Sequence, residues 1–149
     1  MLVGEYCNRD VIVVSQNASI PEAAGLMRTH HVGDLVVVRE EGPRRIPAGL
    51  LTDRDIVVEL LAKGVDLDTV TVGDVMSYEL LAVREGEDLL ETLKLMRAKG
   101  VRRVPVVDQN EALTGILAVD DMIELLAEML VDVSRLIIRE QRREQQKLR

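Results

Sequence analysis

The stretch Gly49-Leu50-Leu51-Thr52-Asp53-Arg54-Asp55 returns 66 residues later as Gly115-Ile116-Leu117-Ala118-Val119-Asp120-Asp121. Upstream of these two stretches, residues 7–38 align without a gap to residues 76–107 at an offset of 69. A longer loop after Val38 in the first copy accounts for the change of offset. Each copy alone is too short to bury much core, so the duplication predicts two units that pack together. Such packing creates a cleft at the junction with two related sites.

Both copies predict the same order of elements. A short apolar run precedes a helix whose first turn carries a capping pattern, at residues 19–22 in one copy and 88–91 in the other. Two apolar, β-branched runs then predict a strand hairpin, and a second helix begins at about Asp53 or Val119. The predicted strands are residues 11–14, 35–38 and 46–51, then 80–83, 104–107 and 113–117. The sequence therefore predicts an α/β (α+β) fold of two pseudo-symmetric β-α-β-β-α repeats, packed sheet to sheet.

The repeat sets the predicted organisation of the chain. The first repeat covers residues 7–63, a glycine-containing linker covers 64–73 and the second repeat covers 74–130. Residues 131–149 extend the last helix into a charged tail. Two interpretations of this extension remain open: it packs on its own core and frays in solvent, or it packs on a second subunit. Nucleic-acid binding by the basic tail is disfavoured, because Glu140 and Glu144 dilute its charge.

Composition restricts the function classes. The chain of 149 residues has no Phe or Trp, only two Tyr and a net charge of −7, which argues against nucleic-acid binding through stacking or phosphate contacts. Cys7 is the single cysteine, so an intramolecular disulfide is excluded and a reducing cytoplasm is expected. Apolar runs fall short of the roughly 20 residues that a membrane span needs. We therefore expect a cytoplasmic protein without a membrane segment.

Three segments together carry a family resemblance: Val72-Gly73-Asp74-Val75-Met76-Ser77, Gly100-Val101-Arg102-Arg103-Val104-Pro105-Val106-Val107-Asp108 and the stretch from Gly49 to Ile56. In this repeat they resemble a tandem pair of CBS (cystathionine-β-synthase) domains, a Bateman module, in a stand-alone CBS domain-containing protein. The resemblance implies a non-catalytic regulatory module that senses AMP, ADP or ATP, or S-adenosylmethionine. It also implies energy sensing, a homodimer and a regulated partner protein of unknown identity.

The resemblance also implies a ligand site shared by the repeats. Asp55 would accept the ribose hydroxyls, Thr52 would lie near the ribose or a phosphate, and arginines of the other repeat would reach the phosphates. Charged hydrogen bonds to a carboxylate and guanidinium contacts to phosphate suit these roles, and the helix start at Asp53 adds partial positive charge. Arg54 either reaches a phosphate or lies on the solvent side of its helix. The residues assigned to the site are Thr52, Asp53, Arg54, Asp55, Arg102 and Arg103.

A second, weaker site would use Asp121, Asp120 and His31. Ala118 replaces the hydroxyl residue of the motif there, and Gly33 and Asp34 stand where the other copy has its two arginines. Because a carboxylate repels phosphate, this site is predicted to be empty or to hold an uncharged group such as adenosine.

Alternatives accompany these assignments. The Thr52-x-x-Asp55 pattern is also a helix capping box, and capping and ligand binding are compatible. A ligand-independent dimerisation or scaffold module is the competing function, because the helix faces are apolar.

No nucleophile or phosphate-loop motif is present, so catalysis is not expected. The adjacent His30 and His31 lack spaced partners, so no metal site is predicted and no cofactor is required.

Overall fold

The computed structural model describes residues 1–78 and 81–149. The strands are β1 (Val13–Ser15), β2 (Asp34–Glu41), β3 (Arg44–Thr52), β4 (Val83–Arg84), β5 (Arg103–Val107) and β6 (Leu113–Ala118). The first sheet has the strand order β1-β2-β3, with β1 parallel and β3 antiparallel to β2. The second sheet has the order β4-β5-β6, with β4 parallel to β5. These two mixed sheets and their helices confirm the predicted α/β class.

The helices follow the repeat, with one short α-helix added before the first strand of each repeat. They are α1 (Val3–Tyr6), α2 (Ile20–His30), α3 (Asp53–Asp55), α4 (Val72–Val75), α5 (Leu89–Lys99) and α6 (Val119–Lys147). A π-helix, Ile56–Leu61, continues α3, and a 3-10 turn, Leu67–Thr69, precedes α4. The chain divides into two compact units, residues 1–117 and residues 118–149. No helix within residues 1–78 and 81–149 is long and apolar enough to cross a membrane.

The predicted helix starts are confirmed by their caps. Ser19 Oγ accepts a hydrogen bond from the Glu22 backbone N–H, and Glu22 accepts one from the Ser19 backbone N–H, both at 3.2 Å. In the second repeat, Asp88 Oδ1 accepts from the backbone N–H groups of Leu90 and Glu91. Each cap satisfies backbone donors that would otherwise lack partners at a helix start.

Several predicted bounds need correction. The first strand occupies Val13–Ser15 rather than residues 11–14, because the register with β2 covers only these residues; Ile12 adds one carbonyl that accepts from the Val36 N–H. The corresponding strand of the second repeat is Val83–Arg84, and Leu80, the predicted start, lies outside the described residues. The helix predicted from Asp53 begins there, but it becomes a π-helix at Ile56. There the N–H of Ala62 bonds to the carbonyl of Val57, five residues back.

Each repeat is completed by the segment that precedes the other repeat's first strand. Leu2 and Asn8 pair with Asp88 and Ile116 of the second repeat. At the equivalent positions, Thr71 and Ser77 pair with Ser19 and Leu50 of the first repeat. Val3 and Val72, which are equivalent, are both fully buried. The predicted linker, residues 64–73, therefore ends as part of the packing of the first repeat.

Two motif glycines permit this crossed packing. A Cβ on Gly49 would lie 2.6 Å from the Ser77 carbonyl oxygen and 2.8 Å from Met76 Sδ. A Cβ on Gly115, the equivalent residue, would lie 2.7 Å from Cys7 Sγ. Close backbone approach at these points requires glycine. The same segments supply core side chains, because Val72 and Met76 join the buried cluster of the first sheet, with Leu35, Val37 and Leu51 among its members.

Candidate ligand-binding site

The motif residues Thr52 and Asp55 form a reciprocal cap at the end of β3. Thr52 Oγ1 accepts a hydrogen bond from the Asp55 backbone N–H at 3.1 Å. Asp55 Oδ2 accepts one from the Thr52 backbone N–H at 2.9 Å. The structural role predicted for this pair is therefore present. Both side chains are half-buried, so the cap also fixes their orientation.

The cap leaves acceptor capacity on Asp55. Within residues 1–78 and 81–149, no protein group donates a hydrogen bond to its Oδ1 oxygen. An ionised carboxylate offers about four lone-pair sites. Asp55 can therefore hold its helix start and still accept a hydroxyl from a ligand.

Asp53 lies against the start of the neighbouring strand. Its backbone N–H donates to the Gly33 carbonyl at 2.9 Å, and a Cβ on Gly33 would lie 3.1 Å from Asp53 Oδ2. Asp53 Oδ1 accepts a hydrogen bond from the Arg54 backbone N–H at 2.8 Å. The Arg54 residue is exposed in this first turn. The glycine at position 33 thus makes room for the Asp53 carboxylate.

An ion pair joins the two repeats beside this helix start. Arg103 Nε, at the first residue of β5, lies 3.1 Å from Asp34 Oδ1, at the first residue of β2. Asp34 is in turn the cross-strand partner of Thr52. The ion pair therefore brings Arg103 of the second repeat to the strand position next to the Thr52–Asp55 cap.

Asp34 makes a contact that the sequence analysis does not predict. The sequence aligns Asp34 with Arg103 of the other copy and assigns it to the second site, and in the structure these two equivalent residues form an ion pair. The reason is symmetry: residues 34 and 103 are equivalent, and a pseudo-twofold relation brings equivalent residues near its axis together. Opposite charges at one repeat position were the signal for this ion pair, but the sequence analysis interpreted them only as repulsion between Asp34 and a phosphate.

Burial and neighbouring charges act on the pKa of Asp34 in opposite directions. Its side chain is 14% exposed, and this burial raises its pKa above the ordinary aspartate value. The positive charge of Arg103 opposes the rise in pKa, while the negative charge of Asp53 adds to it. Asp34 therefore feels both the guanidinium of Arg103 and the carboxylate of Asp53, and a ligand phosphate would compete with Asp34 for Arg103.

The remaining predicted residues are placed as follows. Arg102 is exposed, whereas Arg103 is half-buried. Asp121 Oδ2 accepts a hydrogen bond from the Ala118 backbone N–H at 3.1 Å, and Asp120 is exposed in the same first turn of α6. His31 is exposed and ends α2 in the left-handed conformation, with φ of 53°. The second site stays a prediction.

Two recesses of the structure lie away from the predicted site residues. Recesses of about 480 and 470 Å³ occupy equivalent places in the repeats, after β1 and at β4, and neither is lined by a predicted site residue. Within the described parts of the chain, no three His, Cys, Asp or Glu side chains are grouped to hold a metal ion. Cys7 is half-buried, in contact distance of Gly115.

Known proteins resemble the chain over most of its length. The CBS domain family model matches residues 3–62 and 72–128. The CBS domain-containing protein YhcV of Bacillus subtilis is 44% identical over 120 residues, which are 80% of this chain and 81% of YhcV. An uncharacterised protein of Methanopyrus kandleri is 38% identical over 83% of this chain, which spans only 61% of that protein's length.

Two solved structures share the fold and contain ligands. The CBS domain pair of protein MJ0100, in complex with 5′-methylthioadenosine and S-adenosyl-L-methionine, has a TM-score of 0.73 and 26% identity, covering 87% of this chain and 98% of that one. A CBS domain protein of Pyrobaculum aerophilum, complexed with AMP, has a TM-score of 0.72 and 25% identity, covering 81% and 89%. The repeat, the crossed packing and these matches agree: the chain belongs to the CBS domain family and carries a tandem CBS pair.

Proposed function

We propose that this CBS pair is a non-catalytic regulatory module that binds an adenosyl ligand of the AMP, ADP or ATP class at the Thr52–Asp55 cap. The observation that carries the proposal is the ion pair from Arg103 of one repeat to Asp34 beside the cap of the other. It supports the proposal because a guanidinium suits a phosphate, a carboxylate suits ribose hydroxyls, and Asp34 is the cross-strand partner of Thr52 in the cap. The AMP complex of the Pyrobaculum relative and the S-adenosyl-L-methionine complex of the MJ0100 pair support the ligand class.

The ribose and the phosphate of such a ligand each have a suitable partner in this proposal. The uncommitted oxygen of Asp55 accepts a ribose hydroxyl, in a charge-assisted hydrogen bond. The Arg103 guanidinium exchanges the Asp34 carboxylate for a phosphate, since both anions suit its planar donor geometry. Because Asp34 and Asp53 stay beside the phosphate, we expect AMP to bind more tightly than ATP.

The same exchange provides a signal. The Arg103–Asp34 ion pair connects equivalent positions of the two repeats. A phosphate that takes Arg103 releases Asp34 and changes this connection, so the two repeats are held differently with and without ligand. A partner protein that distinguishes the two states would then be regulated by the ligand.

Thermal unfolding against AMP, ADP, ATP and S-adenosylmethionine tests the function. A ligand at 100 times its Kd adds about 2.7 kcal/mol to the free energy of unfolding, which raises the Tm by several degrees. We expect the largest rise with AMP. Unchanged Tm with all four ligands at millimolar concentration would overturn the nucleotide proposal.

A ligand-independent dimerisation module is the second candidate. It is favoured by one observation, the run of exposed apolar residues along α6. This candidate predicts a stable assembly whose size and Tm do not respond to any of the four ligands.

A further inference from the structure

A recess lies on one face of the first sheet, at the opposite end of β2 and β3 from the Thr52–Asp55 cap. Val14 faces the buried core, so its neighbours in β1 face the other side of the sheet. The recess has a volume of about 480 Å³, within the range of roughly 300 to 1,000 Å³ that small-molecule sites occupy. Its lining on this face includes Val13, Ser15, Val38, Glu40 and Arg45.

Two opposite charges lie next to each other in this lining. Glu40 of β2 and Arg45 of β3 are cross-strand partners, and both residues are exposed. Across residues 1–78 and 81–149, no ion pair or hydrogen bond engages either side chain. The recess therefore presents a carboxylate and a guanidinium that are both free to contact a ligand.

The equivalent recess of the second repeat has a similar volume, about 470 Å³, but its charges are engaged within the chain. Arg84 pairs with Glu111, and Glu85 pairs with Arg9. The other two carboxylates of that lining accept hydrogen bonds from backbone N–H groups. The free charges of the first recess are therefore not a general consequence of the repeat.

The rest of the lining suits a small organic molecule. Val38 is 5% exposed and Val13 is half-buried, so together they form an apolar floor. Ser15 Oγ accepts a hydrogen bond from the Asn17 backbone N–H at 3.2 Å and keeps its own hydroxyl proton to donate. Small-molecule sites combine such an apolar surface with a few polar groups that fix the orientation of the ligand.

We propose that this recess binds a small zwitterion, an aliphatic α-amino acid. Its carboxylate contacts the Arg45 guanidinium, whose planar donors suit two oxygens. Its ammonium group contacts the Glu40 carboxylate, and its side chain lies on the apolar floor. An anion alone is repelled by Glu40 and a cation alone by Arg45, so a ligand with both charges fits this lining best. The recess shares no residue with the Thr52–Asp55 cap, and this inference is independent of the nucleotide proposal.

Nuclear magnetic resonance of the isotope-labelled full-length chain tests the proposal. Leucine is titrated while the Arg45 Nε–H signal and the backbone amide signals of Ser15 and Glu40 are followed. We expect all three signals to shift with millimolar leucine, and to shift far less with acetate or methylammonium, which carry only one of the two charges. Equal shifts with acetate would mean a contact with any anion, and unchanged signals with leucine would mean that the recess does not bind it. Either result overturns the proposal.

Arg45→Ala and its matched control, Arg84→Ala, locate the binding site. Loss of a charged donor in Arg45→Ala should weaken leucine binding about tenfold or more. Glu40→Gln should weaken it as well, because the ammonium group loses its counter-charge. Arg84 lines the equivalent recess, so Arg84→Ala should bind leucine like the wild type. These side chains are exposed, and amide spectra that match the wild type outside the recess would show that the variants fold. Unchanged leucine affinity in Arg45→Ala would overturn the proposal.

Discussion

Asp34 and Arg103 occupy the same position in the two repeats and carry opposite charges, and their ion pair is the most informative contact of the candidate site. A carboxylate at this point orients the guanidinium, and in the proposed site it would also compete with a ligand phosphate for it. In that proposal Asp34 would control how readily an anion reaches Arg103, while Asp55 would contact the ribose.

Replacing Asp34 with Asn separates the orienting effect of Asp34 on Arg103 from its competition with a ligand phosphate. Asn keeps a hydrogen-bond acceptor for Arg103 but removes a negative charge near the expected phosphate. We predict that Asp34→Asn tightens AMP binding about tenfold, with a larger gain for ATP because it carries more charge. Calorimetric titration of both nucleotides measures this. Weaker binding by the variant would mean that Asp34 is needed to present Arg103.

The raised pKa of Asp34 also predicts a pH dependence of stability. Burial makes the folded chain hold the Asp34 proton more tightly than the unfolded chain does. The contribution of Asp34 to the free energy of unfolding is therefore most favourable below the ordinary aspartate pKa, and it decreases as the pH rises through the raised value. Urea denaturation over this pH range should show a flatter profile for Asp34→Asn than for the wild type. Identical profiles would contradict the assignment.

Part of the candidate site could be predicted from the sequence. The roles of Thr52 and Asp55 at a helix start follow from local spacing, and the capping hydrogen bonds confirm them. The ion pair of Asp34 does not follow from local spacing, because it depends on how the two repeats meet. Only the symmetry of the repeats, applied to charge, would have predicted it.

At the scale of elements, α2 and α5 end at equivalent positions of the two repeats, but different residues occupy these positions. Gly100 ends α5 with φ of 67°, and His31 ends α2 with φ of 53°. Glycine adopts this conformation without penalty, whereas a residue with a Cβ does not. The first repeat therefore has a strained helix end that the second repeat lacks.

We predict that His31→Gly stabilises the chain by about 1 kcal/mol, because it relieves this strain and His31 is exposed. Chemical denaturation measures the change. His30→Gly is the matched control: it alters a neighbouring exposed histidine within the helix and should lower stability. A loss of stability in both variants would show that the His31 side chain does more than end the helix.

Element types were predictable, whereas some bounds were not. Apolar periodicity and caps gave α2 and α5, because these features lie within one segment. The bounds of β1 depend on pairing with β2, and the π-helix after Asp55 depends on which backbone groups bond. Neither the bounds of β1 nor the π-helix can be predicted from the local sequence alone.

At the scale of the molecule, the crossed segments make the two repeats depend on each other. Residues 2–8 complete the second repeat and residues 71–77 complete the first. Gly49 and Gly115 are the points at which these segments come closest to the hairpins. The duplication predicted that the repeats pack together, but the exchange of segments follows only from the observed pairing.

Gly49→Ala should therefore destabilise the whole chain. Its Cβ would overlap the Ser77 carbonyl oxygen, and backbone atoms must move to admit it. We predict a loss of about 1–3 kcal/mol in the free energy of unfolding. Gly25→Ala is the control: nothing lies within 4 Å of its Cβ, so within helix α2 it should gain roughly 0.5–1 kcal/mol. Equal effects of the two substitutions would argue against the close contact.

The most direct measurement is calorimetric titration of AMP into the wild type, Asp55→Ala and Asp74→Ala. Asp74 caps α4 through the same contact, 2.9 Å from the Thr71 backbone nitrogen to Asp74 Oδ2, but lies outside the candidate site. Loss of a charged acceptor in Asp55→Ala should weaken binding roughly 10- to 100-fold, whereas Asp74→Ala should bind like the wild type. Equal affinity of Asp55→Ala and the wild type would contradict a nucleotide site at the Thr52–Asp55 cap.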